Sequence, residues 1–158
     1  MSDRWKNVRK TETKKQEPVL KVKKLHPDAK LPARGTPGSG GLDLYAVEDV
    51  ELWPGDIKGV KSGIGMEIPE NCCGLLMTRS SFGKFGVRIA AGANCVDADY
   101  RGEVMIYLRN DGNYPFYINK GDRVAQIVIV PYVPMAPAWT EELSETERGD
   151  GGFGSTGR

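Results

Sequence analysis

Histidine occurs once and cysteine three times among 158 residues, and no Cys-x-x-Cys is present. A structural zinc site, which needs four such ligands, is therefore close to excluded. Cys72 and Cys73 are adjacent and Cys95 stands apart; three thiols so spaced make no disulfide framework and suggest a reducing compartment. No apolar run approaches the ~20 residues of a membrane span. The N-terminus has no apolar core of a secretory signal. The expectation is an intracellular protein, cytoplasmic, or nuclear if the source is eukaryotic or viral. A formal net charge of +1 supplies no strong field, so no stable nucleic-acid or membrane binding is expected. A phosphate loop of the G-x-x-x-x-G-K-[ST] type is missing: Gly83-Lys84 runs into Phe85, and Lys61-Ser62 follows Val60. His26 lies in a polar, Pro-flanked segment and no nucleophile elbow accompanies it, which argues against a serine-type triad.

Apolar residues at a period of two are present in their place. Leu20 and Val22 alternate with lysines, and Leu42, Leu44 and Ala46 alternate across Asp43. Val50 and Leu52 follow, then Ile64, Met66 and Ile68; later come Val104, Ile106 and Leu108, and Tyr114, Phe116 and Ile118. The stretch from Val124 to Val133 is rich in Val and Ile. Each reads as a strand, and the clusters between them (53–56, 69–71, 110–113, 119–122) read as turns. Only the stretch beginning near Ser80 looks helical, and Gly83 and Gly86 cut it short. Many short strands at even spacing predict an all-β sandwich, barrel or jelly roll. Residues 1–17 carry six Lys/Arg against three acids and almost no aliphatics, so they read as a disordered basic tail. Residues 18–140 form the β domain. Residues 141–158 are an acidic linker leading into a strap, Arg148 to Gly157, in which five of ten residues are glycine.

Three polar islands interrupt the strands. The first, Gly40 to Tyr45, embeds Asp43 in an alternating strand, where pattern alone turns the acid to solvent. The second, Thr78 to Gly86, sets Arg79, Ser80 and Ser81 at a strand end. A guanidinium fork and two hydroxyls suit an anion, while a capped helical turn explains the same residues equally well. The third, Asn94 to Gly102, places Asp97 and Asp99 two apart. In an extended chain they share a face, an arrangement that needs water, a cation or a base role. Further on, Arg123 precedes a near-continuous apolar run whose one polar member is Gln126. A buried amide must be hydrogen-bonded or point into a site.

Taken in order, these islands and the strap resemble the five motifs of the trimeric dUTP diphosphatases (dUTPases). G-x-D-L-Y-A at 41–46 means little alone; five motifs in order, ending in R-G-x-G-G-F-G-S-T-G, are specific. The resemblance spans Pro18 to Gly157. It implies a jelly-roll-like β barrel, of the β-clip type, that forms homotrimers with active sites shared between subunits. It also implies hydrolysis of dUTP to dUMP and pyrophosphate, which supplies dUMP for dTMP synthesis and keeps uracil out of DNA. By the same likeness Asp97 is the general base that activates water at the α-phosphorus, and a carboxylate is ionised at neutral pH as a base must be. Tyr100 packs on the deoxyribose, and backbone at Asn94, Cys95, Val96 and Met105 reads the uracil edge. Arg79, Ser80 and Ser81 grip the phosphates with help from Gln126. Mg²⁺ is held mainly by the triphosphate and waters, with Asp43 nearby. Arg148 reaches the γ-phosphate and Phe153 stacks on uracil, while Gly154, Ser155 and Thr156 complete a lid that orders only over bound nucleotide. Thr78, Phe82 and Phe85 depart from the residues usual in the second motif. The related dCTP deaminases share the fold but lack this strap. A nucleotide-sensing regulator is a further reading that an intact Asp97 does not exclude.

Overall fold

Short period-two stretches separated by turn clusters form antiparallel ladders, because each buries one face and satisfies its backbone only with a neighbour. The computed structural model describes residues 18–90, 92 and 94–152. In chain order the strands are β1 (Lys21–Lys24), β2 (Leu42–Tyr45), β3 (Val50–Leu52), β4 (Ile57–Lys61), β5 (Ile64–Glu67) and β6 (Cys72–Thr78). After the single helical turn α1 (Ser80–Gly83) come β7 (Val87–Ile89), β8 (Cys95–Val96), β9 (Met105–Asn110), β10 (Phe116–Ile118) and β11 (Arg123–Pro131). They make four small sheets ordered β1-β5, β10-β3, β2-β11-β6-β8 and β4-β9-β7. The all-β architecture expected from the pattern is the one adopted, in the jelly-roll-like form that the resemblance implies.

One core joins the sheets. Leu44, Leu52, Val60, Ile106, Leu108, Val124 and Ile127 have no exposed surface, and each such aliphatic contributes about 1.5–3 kcal/mol by leaving water. Two polar side chains enter this core with their bonds made. Ser62 Oγ donates to the Val104 carbonyl at 2.6 Å. Asn110 donates Nδ2 to the carbonyls of Leu52 and Tyr114, both at 2.9 Å, and accepts from Gly112 N at 2.9 Å. Among the described residues no buried side-chain N or O atom lacks a partner.

The strand expectations hold for β1, β2, β3, β5 and β9 and need adjustment elsewhere. Tyr114 is 82% exposed and outside β10; its carbonyl serves the Asn110 turn instead. β11 stops at Pro131 and not at Val133: Tyr132 N makes one last bond in register, to the Asn71 carbonyl at 2.8 Å, and there the opposing segment leaves extended geometry with Asn71 at φ 58°. β4 and β6 give no clean alternation: Gly59 interrupts the first, and Leu75-Leu76 breaks the period of the second. The basic tail at 1–17 lies outside the described residues.

What positions the site is the four-stranded sheet. β11, its Val/Ile-rich centre, is paired on both sides, with Gln126 opposite Asp43 of β2 and Met77 of β6. A register shift between Arg123 and Ala125 marks the start of that ladder. The outermost strand is β8, two residues long, with one edge open.

Candidate functional site

The pairing of β2, β11 and β6 brings the first candidate group together. Asp43 has its side chain only 13% exposed, so the solvent-facing reading fails. Its Oδ1 lies 3.3 Å from Arg79 Nε and its Oδ2 accepts from the Arg123 guanidinium at 3.2 Å. Arg79 also donates to the Arg123 carbonyl at 3.0 Å. One carboxylate thus organises two guanidiniums, and the cluster keeps a net positive charge. Gly35, Ser39, Gly41, Ser80 and Gln126 complete a cavity of about 210 Å³ around it. Gln126 lies against Gly41, where a Cβ would stand 2.7 Å from its Oε1. The Gln126 side chain is half-buried and lines this cavity. Ser81 is exposed but does not line this cavity.

The second group forms at the open edge of β8. Asn94 gives its carbonyl to Leu76 N at 2.8 Å, and Cys95 and Val96 stand opposite Leu75 and Gly74 of β6. Backbone groups alternate sides along a strand, so the Cys95 N–H and C=O face away from β6. On β9, Tyr107 gives its carbonyl to Ala90 N at 2.8 Å on the β7 side. Met105, two residues earlier, turns its backbone the same way where β7 has ended. Val96, Asp97, Tyr100, Met105 and Tyr107 line a cavity of about 290 Å³ at this place.

The loop beyond β8 is held tightly. Tyr100 N bonds the Asp97 carbonyl at 3.2 Å, and the Arg101 guanidinium bonds the carbonyls of Ala98 and Tyr100 at 2.6 and 3.0 Å. The Tyr100 hydroxyl donates to the Glu103 carbonyl at 3.0 Å, which lays the ring over Gly102. A Cβ at Gly102 would stand 2.4 Å from that hydroxyl, so only glycine permits the pose. Asp97 is exposed, and it also lines a larger adjoining cavity of about 670 Å³ with Cys73, Cys95, Asp99 and Tyr132. Burial, the Cys73 thiol and the Asp97 carboxylate push the Cys95 thiol above its usual pKa.

The two groups share no lining residue: among the described residues Asp97 and Tyr100 line one cavity, and Arg79, Ser80, Asp43 and Gln126 line another. Arg148 lines neither cavity. It is exposed in a turn of its own, with Nε donating to the Gly151 carbonyl at 2.8 Å. Phe153, Gly154, Ser155 and Thr156 lie outside the described residues. Sequence reasoning gave no part to Gly35, Ser39 or Tyr107, while Gly41 stood in the first island without a role of its own. Arg123 was noticed but given no place; its position three residues before Gln126 on one strand was the available signal.

A positively charged, serine-bearing cradle and a base-sized pocket flanked by two tyrosines are the parts of a nucleotide-binding, all-β protein. A family model described as dUTPase matches residues 27–157. The deoxyuridine 5'-triphosphate nucleotidohydrolase of Nautilia profundicola is 42% identical over 140 residues, covering 88% of this chain and 99% of that one. The dUTPase of Staphylococcus bacteriophage 80alpha, solved with dUpNHpp, superposes with a TM-score of 0.82 at 31% identity, over 89% of this chain and 99% of its own. A variant of the dUTPase of S. aureus phage phi11, described for its coordination of a structural Mg(II) ion, gives 0.74 at 26% identity, over 81% and 100%. The chain belongs to the dUTPase family.

Proposed function

We propose that the chain hydrolyses dUTP to dUMP and pyrophosphate in sites built by a homotrimer. The observation that carries this reading is the division of the site residues between two separate cavities, each holding what the other lacks. The hairpin cavity has a carboxylate, a sugar-sized aromatic wall and free backbone groups. The cradle has the cations and hydroxyl for a phosphate chain. A second copy brings the two together, and the arm after β11 is the surface offered to it: Val133 is 71% exposed, Met135 79%, and Trp139 fully exposed.

Within that site the Asp97 carboxylate takes a proton from the water that attacks the α-phosphorus in line. Arg79, Arg123 and Ser80 position the phosphates, and Asp43 fixes the two guanidiniums so that little reorganisation is needed when negative charge develops. Gln126 donates its amide to the same chain. Tyr100, held down over Gly102, covers the 2′-carbon face of the sugar. Cys95 and Met105 offer unpaired backbone groups to the uracil edge, while Asn94 and Val96 tie the hairpin to β6. A cytosine leaves those groups unmatched, which costs far more than a lost methyl contact. Ser81, Arg148, Phe153, Gly154, Ser155 and Thr156 act from the rim and the strap.

Both oxygens of Asp43 already serve guanidiniums, and no three His, Cys, Asp or Glu side chains converge among the described residues. That donor set fits Mg²⁺ arriving on the triphosphate, with Asp43 close by, and does not fit a metal bound by protein alone. When bound, the ion neutralises charge on the pyrophosphate leaving group. The test is pyrophosphate release with dUTP, dCTP, dTTP and UTP as separate substrates. Release from dUTP alone is expected; equal turnover of dCTP or UTP contradicts the assignment.

A further inference from the structure

Cys73 and Cys95 are far apart in sequence, and the β6–β8 ladder brings them together. Gly74 stands opposite Val96 and Leu75 opposite Cys95, so one more rung sets Cys73 beside Asp97, just past the end of β8. Side chains two apart share a face. Cys73, Leu75, Cys95 and Asp97 therefore project from one side of the sheet, and the two cysteines and the aspartate line the same cavity of about 670 Å³. Cys73 and Cys95 are diagonal neighbours on that face, and the Cys73 thiol helps to push the Cys95 thiol above its usual pKa. Cys95 Sγ also lies 4.0 Å from Asp97 Oδ1, the outer limit for a thiol donor. Cys95 is exposed and Cys73 is partly so, which leaves both open to small reagents. Cys72, the adjacent residue, projects to the other face and packs against the core.

We propose that Cys73 and Cys95 are a dithiol modification site that closes to a disulfide under hydrogen peroxide and thereby disables Asp97. The step balances with the peroxide as oxidant. One sulfur attacks the O–O bond and becomes a sulfenic acid with release of water; the other attacks that sulfur, forms the S–S bond and releases a second water. Two thiols lose two protons and two electrons, and the peroxide becomes two waters. Closure draws Cys95 diagonally across the ladder toward β6 and removes the S–H next to Asp97 Oδ1. The hairpin turns there, so the carboxylate moves with it, and a shift near 1 Å at a reacting group costs on the order of a hundredfold in rate. The effect on turnover rests on the reading of Asp97 as the base; the chemistry of the pair does not.

The experiment treats the full-length protein with hydrogen peroxide, counts thiols under denaturing conditions, maps linked peptides by mass, and follows dUTP turnover before and after dithiothreitol. The expected result is loss of two of the three thiols, a Cys73–Cys95 linked peptide, a fall in kcat/KM of at least tenfold, and recovery on reduction. Cys73→Ser should keep full activity and lose the sensitivity; its melting curve checks that it folds, and wild-type peptide mapping stands without it. Three thiols surviving, a different linkage, or a linked pair with unchanged kcat/KM each overturns the proposal. A reduced protein that turns over no dUTP refutes the proposed function instead, and the thiol count still decides the pair.

Discussion

Asp97 and Asp43 are both acids in polar islands, and their surroundings give them different work. Asp97 is exposed at a cavity mouth with no cation bonded to it among the described residues, as suits a group that must take a proton from water. Asp97→Asn keeps the shape and removes the base. It should lower kcat by about 10²–10⁴-fold while dUTP binding, measured by calorimetry, stays within a few-fold. Asp43 is enclosed by two guanidiniums, so its part is to aim cations. Nothing in an alternating Leu-Asp-Leu pattern distinguishes these fates, because the partners of Asp43 come from strands 36 and 80 residues away. Tyr100 depends on a residue with no side chain. Gly102→Val pushes against its hydroxyl and should lower kcat/KM roughly ten- to a hundredfold with the melting temperature nearly unchanged. A circular-dichroism melt beside the kinetics separates that outcome from unfolding.

At the scale of elements, turn chemistry and two side chains hold the strands in register. Asn110 ends β9 and ties the β3 and β10 side of the core through three hydrogen bonds. Asn110→Ala leaves two carbonyls without donors and should cost about 2–3 kcal/mol in urea unfolding. Asp111 sits next to it between Arg88 of β7 and Arg109 of β9, which hold its carboxyl below the usual range. A folded-state pKa that is lowered gives stability above the unfolded value, and that stability is lost as pH falls through the folded one. Wild type should therefore be more stable than Asp111→Asn at neutral pH. The gap should shrink in acid and in 1 M salt, since the pair is exposed. A gap that persists at pH 2 contradicts the ion-pair account. The period-two strands were legible in the sequence because each buries one face. β6 was not, since apolar Leu75 and Met77 stand on its open face beside buried Gly74 and Leu76, which hides the alternation of burial in the residue types.

For the whole molecule, the motifs follow one order along the chain, and among the described residues they line two separate cavities. Chain order carries no information about which copy supplies which motif. The cradle and the hairpin were therefore each legible as chemistry, while their division between subunits was an expectation of the family resemblance alone. The arm from Tyr132 onward exposes Val133, Met135 and Trp139, which the proposed assembly would cover. The central claim is that Asp97 of one copy works with Arg79 of another. Arg79→Ala and Asp97→Asn subunits, each inactive alone, can be co-refolded in equal amounts and assayed for dUTP hydrolysis. If every site draws the two residues from different subunits, random mixing restores about one quarter of wild-type activity. If both residues act from one chain, no mixed assembly contains an intact site, and activity stays at the level of the separate variants.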